Sequence, residues 1–368
     1  MKKILPVLTS ILSLSLVLLG STLFAQTLSW REEDVIFSDT TVHNVEVISL
    51  PDGRYRMYFH QGTQMKSAVS ADGRAFQVED GVRLTGSMPS LVKLPDGSWR
   101  MYFQTIESGR GAIKSATSQD GLNWTAESGT RLTPGGQHDP DNVVHPSVVT
   151  LPQGGWRMYY DGEIRRTEQE FTWRVLSATS SDGLIWTKDA GIRINVDEEP
   201  LEADSVWNAH AIYEEEEGVF RLYFAVQTPN ENFSDGIYSA TSTDGLVFSD
   251  PVAELTPEEE SGQFGTGGQL GSYQDPFVLD FPEGRRMYYW VNGGGIYSAL
   301  QVEDQEAATD QENQAKTMIN RLLEKAGLGG LKISIPQNIE LFLIPSILLV
   351  AGGTILFFLL KARRKKEL

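Results

Sequence analysis

Histidine and carboxylate side chains recur at corresponding positions along this chain. Such side chains can donate and accept protons. The histidines are His43, His60, His138, His145 and His210, all five in the sequence. The carboxylates that we expect to lie near these histidines are Asp161, Glu163, Asp204 and Asp275. Imidazole and carboxyl groups are the commonest general acids and bases, and they also bind polar ligands. Their separation along the chain requires a fold that brings several equivalent strands to one place.

An internal repeat defines the elements that position these side chains. A phrase of the form Arg-Met/Leu-Tyr-Phe/Tyr returns five times, starting at Arg56, Arg100, Arg157, Arg221 and Arg286. Ser-Ala follows each copy, and a Ser-x-Asp-Gly turn follows four of them. The alternation of polar and apolar residues predicts strands, and the turn residues divide each copy into four. Four antiparallel strands per copy predict the blade of a propeller.

The repeat predicts an all-β fold, a five-bladed β-propeller over residues 26–302. We expect blades at about 42–84, 87–132, 144–194, 206–255 and 273–302. The fifth copy lacks a fourth strand, and the N-terminal segment Leu28–Phe37 matches the missing element. We therefore expect this N-terminal strand to complete blade five and close the ring, which removes exposed sheet edges.

Both termini predict a membrane-anchored, exported protein. Residues 1–25 have the pattern of a signal peptide, and residues 339–360 form an apolar run long enough to cross a bilayer. The basic tail 361–368 is predicted to stay in the cytoplasm, with the propeller outside a single-pass cell-membrane anchor. Residues 303–338 are interpreted as an acidic stalk with a short amphipathic helix. That helix is a spacer, a membrane-surface contact or a dimerisation element.

Composition limits the partners. The formal charge of −18 argues against nucleic acid as a partner. There is no cysteine, which excludes disulfides and thiolate chemistry. No spacing of histidines and carboxylates indicates a metal site, and no motif indicates a cofactor, so we predict neither.

The repeat also gives a register in which the blades can be compared. In a propeller, loops that enter the innermost strand and leave the second strand meet at the central mouth. The register predicts Asn44, Met88, His145, Ala209 and Asp275 at equivalent entry positions. The Ser-x-Asp-Gly turns fall on the opposite face, so Asp72, Asp120, Asp182 and Asp244 are predicted turn residues. The repeated arginines are predicted to pack blades together, and Glu214–Glu217 to form a solvated turn.

Two motifs resemble those of known propellers. Ser118–Trp124 and Ser180–Trp186 share the sequence Ser-x-Asp-Gly-Leu-x-Trp, which resembles the Asp-box turns of sialidase-type propellers. The five blades and Gln274–Val278 (Gln-Asp-Pro-Phe-Val) resemble the arabinanase/fructosidase superfamily of glycoside hydrolases, over about residues 28–302. That resemblance implies acid and base carboxyl groups on mouth-facing strands. Only Asp275 matches; the entry positions of blades one to four carry no carboxylate, and the sialidase arginine triad with a tyrosine is absent.

The resemblance and the register together give a candidate site. Its predicted catalytic groups are Asp275 as base, Asp161 or Glu163 as acid, and Asp204 in support. Its predicted binding residues are His43, His60, His145, His210, Asn208, Trp207, Trp290 and Gln274. The predicted partners are carbohydrate at the mouth and the lipid bilayer at the C-terminal helix. Two functions stay open: a cell-surface glycosidase-like propeller that hydrolyses glycosidic bonds, and a non-catalytic propeller on the same scaffold that binds glycan or protein.

Overall fold

A computed structural model describes residues 28–167, 170–194, 203–227, 236–256 and 272–303. The predicted signal peptide, membrane segment, basic tail and nearly all of the stalk lie outside these residues. In the ranges that the structure describes, no helix is both long and apolar enough to cross a membrane. The chain divides into two units, one formed by Trp30–Gln301 and one by Met1–Ser29 with Val302–Leu368. The first unit is the domain described below.

The strands of Trp30–Gln301 form five sheets. Blade one contains β2 (Val42–Ser49), β3 (Tyr55–Gln61), β4 (Gln64–Ser70) and β5 (Gln77–Val78), with β6 (Leu84–Thr85) also paired to β4. Blade two contains β7 (Ser87–Lys93), β8 (Trp99–Glu107), β9 (Arg110–Ser118) and β10 (Thr125–Ala126). Blade three contains β11 (Asn142–Thr150), β12 (Trp156–Arg165), β13 (Phe171–Ser180) and β14 (Thr187–Lys188). Blade four contains β15 (Ser205–Glu214), β16 (Val219–Gln227), β17 (Gly236–Ser242) and β18 (Val252–Leu255). Blade five contains β19 (Tyr273–Phe281), β20 (Gly284–Val291), β21 (Gly295–Glu303) and the N-terminal β1 (Leu28–Phe37).

The five sheets close into a ring. The innermost strands β2, β7, β11, β15 and β19 each contact the next, and β19 contacts β2. Strand β1 lies beside β21 as the outermost strand of blade five. Its Glu33 pairs with Arg286 at 2.8 Å, and Trp30 Nε1 donates to Glu254 of blade four at 2.7 Å. The predicted five-bladed propeller and its closure by the N-terminal strand are confirmed.

The repeated phrase joins neighbouring blades. Its tyrosine hydroxyl donates to the glycine carbonyl of the Ser-x-Asp-Gly turn in the next blade, in the pairs Tyr58–Gly121, Tyr102–Gly183, Tyr159–Gly245 and Tyr288–Gly73. The arginine of the same phrase donates to the aspartate carbonyl of that turn, in the pairs Arg56–Asp120, Arg100–Asp182, Arg157–Asp244 and Arg286–Asp72. The prediction that these arginines pack blades is confirmed.

The aspartate side chains of these turns accept hydrogen bonds from the backbone N–H groups of the same turn. Asp120 Oδ1, for example, accepts the backbone N–H groups of Leu122 and Asn123, both at 2.8 Å. Such donors favour the charged carboxylate, so hydrogen bonds from the backbone lower the pKa of Asp72 and Asp244 to about 2. The predicted role of these residues as turn residues is confirmed.

The junction between blades four and five departs from this pattern, because blade five has no Ser-x-Asp-Gly turn. In place of the turn contact, Glu214 forms ion pairs with Arg221 of its own blade at 3.0 Å and with Arg285 of blade five at 2.5 Å. Burial alone would raise the pKa of Glu214, but the two guanidinium groups lower it below its usual range. The prediction of a fully solvated Glu214–Glu217 run is therefore wrong at Glu214. The other three glutamates are exposed.

Candidate binding site at the propeller mouth

Each innermost strand carries a bulge at the mouth. The pairing register skips between His43 and Glu46 in blade one, and at the equivalent points of the other four blades. One residue in each bulge has a positive φ between 47° and 56°: Asn44, Met88, His145, Asn208 and Asp275. We call these five residues the upper ring. Among described non-glycine residues only Ser108 shares a positive φ, and such backbone strain is concentrated at functional sites.

Blade four corrects the register read from the sequence. Asn208, and not Ala209, has the positive φ and occupies the entry position. Ile48 pairs with Arg56 in blade one, whereas Ile212 pairs with Arg221 in blade four. Blade four thus has one more residue between its first strand and its repeated arginine, so aligning Glu215 with Leu50 of blade one places the entry position one residue too late, at Ala209.

A second layer of side chains lies two residues further along each strand. These residues are Glu46, Ser90, Ser147, His210 and Phe277, which we call the lower ring. The upper ring and all of the lower ring except Ser90 line a small pocket that opens to solvent. The pocket is the candidate binding site.

Asp275 is the carboxylate that lines this pocket in the upper ring. Its side chain is 6% exposed. Oδ2 accepts the Asn44 backbone N–H at 3.3 Å, and Oδ1 accepts a hydrogen bond from the side-chain amide of Asn208. His43 Nδ1 lies 4.0 Å from Oδ2. Two donors therefore fix the carboxylate at the edge of the pocket, where it can accept a hydrogen bond from a ligand.

A second, deeper carboxylate is connected to the first through Asn208. Asp161 is fully buried and does not line the pocket. Its Oδ2 accepts the Asn208 backbone N–H at 2.7 Å and lies 2.8 Å from His145 Nδ1, outside the direction of the ring N–H. Burial raises the pKa of Asp161, against the opposing effect of His145. Asp161 thus contacts two residues of the upper ring, Asn208 and His145.

Histidines and an indole form one side of the mouth. His43 packs on Trp290 with 4.8 Å between ring centroids and on His60 with 5.8 Å. His60 Nε2 lies 2.8 Å from Asn44 Oδ1, and its Nδ1 lies 2.9 Å from the Gly62 carbonyl. Burial lowers the pKa of His60, which favours the neutral imidazole. The Trp290 indole N–H has no partner among the described residues.

Besides Asp161, seven predicted site residues lie outside the pocket lining: His43, His60, Trp290, Glu163, Asp204, Trp207 and Gln274. Glu163 is fully buried and binds the Asn142 amide and, at 2.5 Å, the Arg165 guanidinium. The Asp204 side chain is exposed in the segment that enters blade four. Trp207 is half-buried opposite Ala225, and Gln274 donates to the Ser272 hydroxyl at 2.9 Å. Their proposed roles remain predictions.

His210 lines the lower part of the pocket. Its Nε2 lies 3.2 Å from the Val278 carbonyl, and its ring packs on Phe277 with 4.4 Å between centroids. Burial lowers the pKa of His210 to about 4, so the ring is neutral at physiological pH. Its position fits a junction between blades four and five as well as it fits a ligand contact.

Sequence reasoning missed Glu46, the other carboxyl group that lines the pocket. Glu46 Oε1 accepts the Leu91 backbone N–H at 3.0 Å. Burial raises the pKa of Glu46 to about 8, so the group carries a proton at neutral pH. The repeat register contained the signal, because Ser90 and Ser147 occupy the equivalent positions and Glu46 is the acid among them. Within the described residues, no three histidine or carboxylate side chains converge as the ligands of a metal ion would.

Comparison with known proteins agrees with the fold. No protein-family model matches the chain, and no curated protein matches it. Among solved structures, a thermostable family-43 glycoside hydrolase superposes with a TM-score of 0.57 at 13% identity, over 71% of this chain and 88% of that one. A glycosyl hydrolase from Bacteroides ovatus gives 0.52 at 16%, over 74% and 86%. An endo-arabinase from Bacteroides thetaiotaomicron gives 0.52 at 11%, over 74% and 97%. The chain therefore has the five-bladed propeller fold found in glycoside hydrolases.

Proposed function

We propose that this protein is a glycosidase-like propeller that binds carbohydrate at the central pocket, with Asp275 as its main acceptor of ligand hydroxyl groups. The observation that carries the proposal is the placement of Asp275, held at the pocket edge by Asn44 and Asn208. Hydrogen bonds to a charged acceptor are stronger than neutral ones, so a fixed carboxylate suits a ligand rich in hydroxyl groups.

The surroundings of Asp275 also suit a sugar. The Asn208 Oδ1 atom has no hydrogen-bond partner among the described residues. His43, whose ring packs on Trp290, has its Nδ1 atom 4.0 Å from Asp275 Oδ2. Aromatic rings pack well against the apolar faces of sugars, and amides complement their hydroxyls. Because the acceptor is anionic, we propose that neutral glycans bind better than acidic ones.

We propose further that the propeller works at the outer surface of a cell membrane. The sequence supports this with the pattern of a signal peptide in residues 1–25 and an apolar run with a basic tail in residues 339–368. A membrane-bound glycan receptor of this kind would act on extracellular carbohydrate.

Hydrolysis of a glycosidic bond is the second candidate function. It is favoured by the presence of two carboxyl groups in one pocket, Asp275 and the proton-carrying Glu46. Hydrolysis needs one protonated and one charged carboxyl group on the two sides of the bond. The acids predicted from the sequence, Asp161 and Glu163, are fully buried and face no open space in the pocket.

Binding by the full-length chain in detergent to an array of neutral and acidic oligosaccharides tests the proposed function. We expect binding to at least one class of neutral glycan, at least about tenfold tighter than to its uronic-acid counterpart, since a like charge near Asp275 is unfavourable. Release of reducing ends from the bound class would assign hydrolysis. A protein that binds no glycan, or binds acidic glycans best, would contradict the proposal.

A further inference from the structure

Glu46 occupies a position where a serine performs the same structural task. The Ser90 hydroxyl accepts the Val148 backbone N–H at 3.0 Å and joins blade two to blade three. The Ser147 hydroxyl accepts the Ala211 backbone N–H at 2.9 Å and joins blade three to blade four. Glu46 makes the equivalent bond to Leu91, between blades one and two. The contact between blades therefore does not require a carboxyl group.

A buried acid at this position is destabilising where a serine would not be. Glu46 is 9% exposed, and desolvation disfavours its charged form. One of its oxygens is occupied by Leu91, while the other has no protein partner among the described residues and belongs to a side chain that lines the pocket. A titratable side chain that is buried although the fold does not need it there is characteristic of a functional site.

No charged group is placed to stabilise an ionised Glu46. The effects that set its pKa are burial and the Leu91 N–H. Apart from tyrosines, the titratable side chains on β2 and on the strands packed against it are His43 on β2, Arg56 and His60 on β3, Lys93 on β7, Asp275 and Asp280 on β19, and Arg285 and Arg286 on β20. His145 and His210 also line the pocket. None of them forms an ion pair with Glu46. The carboxyl group therefore has a proton to offer to whatever enters the pocket.

We propose that Glu46 donates a hydrogen bond from its protonated carboxyl group to an acceptor oxygen of the bound ligand. This inference rests on the proposed carbohydrate-binding function and specifies it. The pocket then offers Glu46 in blade one as a donor and Asp275 in blade five as an acceptor. A sugar that presents a ring or hydroxyl oxygen to the first and a hydroxyl group to the second satisfies both. The site would select ligands by that arrangement.

Binding then depends on pH in a defined direction. A ligand that needs the proton binds the protonated form, so affinity is constant below the pKa of Glu46 and falls above it. The fall approaches tenfold per pH unit, because the protonated fraction decreases by that factor. With a pKa of about 8 for the free protein, the loss begins in the mildly alkaline range.

Two variants of Glu46 separate this role from a structural one. Glu46→Gln keeps the acceptor for Leu91 and supplies an amide donor that does not titrate in this range. We expect it to bind the glycan within about threefold of the wild type at neutral pH and to show no alkaline loss. Glu46→Ser reproduces the contact of Ser90 and Ser147 but removes the carboxyl group. We expect it to bind about tenfold more weakly at neutral pH, since one hydrogen bond is lost.

The experiment measures affinity by calorimetry for the full-length chain in detergent, with the neutral oligosaccharide that the array identifies, from about pH 6 to pH 9.5. Glu216→Gln, an exposed change on the distal turn of blade four, is the matched control and should follow the wild type. Affinity of the wild type that does not change with pH, or an alkaline loss that persists in Glu46→Gln, would overturn the inference and leave carbohydrate binding intact. If the wild type binds no glycan, both proposals fail.

An infrared measurement checks the proton without any ligand. The spectrum of the wild type minus that of Glu46→Gln at neutral pH should contain the carbonyl band of a protonated carboxyl group, and the band should disappear near pH 8. Its absence at neutral pH would overturn the inference whatever the glycan results show.

Discussion

Replacing Asp275 by asparagine is expected to weaken glycan binding on the order of 100-fold. A hydrogen bond to a charged acceptor contributes about 1.5–3 kcal/mol, and the change also places two side-chain amides, residue 275 and Asn208, against each other. Asparagine nearly preserves the volume of aspartate, so the pocket should keep its shape. Titration of the variant with the oligosaccharide bound by the wild type measures the effect directly.

The matched control for this experiment lies on the same strand. Asp280 is at the distal end of β19, where its side chain is 72% exposed and pairs with Arg285 at 2.7 Å. Asp280→Asn should leave glycan affinity unchanged. Both variants should melt within a few degrees of the wild type. Full affinity in a folded Asp275→Asn protein would remove Asp275 from the binding site.

Replacing Glu33 by alanine is expected to destabilise the propeller by about 3 kcal/mol. Arg286 is 1% exposed, and Glu33 on the N-terminal strand is its closest carboxylate. Removing one partner of a buried pair typically costs about 3–5 kcal/mol, because the other charge stays buried. We expect a loss at the low end of this range, because Arg286 keeps two other partners. Glu283 lies 3.1 Å from Arg286, and the Asp72 carbonyl accepts a hydrogen bond from it. Urea denaturation gives the free energy of unfolding.

The neighbouring residue supplies the control for ring closure. Asp34 is 84% exposed and pairs with the half-exposed Arg74, so Asp34→Ala should change stability by less than about 1 kcal/mol. The difference in the free energy of unfolding between Glu33→Ala and Asp34→Ala should also depend on pH. Burial opposes but Arg286 lowers the pKa of Glu33 below 4.5, so its contribution is present above that value and is lost as the pH falls through the folded-state pKa. Equal stability of both variants would contradict closure by this strand.

The sequence predicted the scaffold well because the scaffold is what repeats. Arg56, Tyr58 and Asp120 have equivalents in other blades, and in four of the five blades the arginine and the tyrosine make the same contact with the next blade. Glu214 was misread because blade five lacks the turn that the motif normally contacts. The motif of blade four is the same as in the other blades, so it does not show that blade five lacks the contacting turn.

The site was only partly predictable, since a site depends on how the blades differ. Comparison of entry positions selected Asp275 and His145, and both line the pocket. Comparison of the residues that leave the second strand selected Glu163, although Asn142 and Arg165 bind that side chain away from the pocket. Glu46 was missed because the comparison stopped at the entry positions, whereas Glu46 lies two residues further on, where blades two and three carry Ser90 and Ser147. Blade four was read one residue out of register because the length of one turn is not visible in the motif.

A crystal structure of the chain with its tightest-binding neutral oligosaccharide tests the central proposal most directly. We expect a sugar in the pocket between the upper and lower rings, with a hydroxyl oxygen within hydrogen-bonding distance of an Asp275 carboxylate oxygen. A sugar bound on the outer strands or at the Ser-x-Asp-Gly turns, with the central pocket empty, would contradict it.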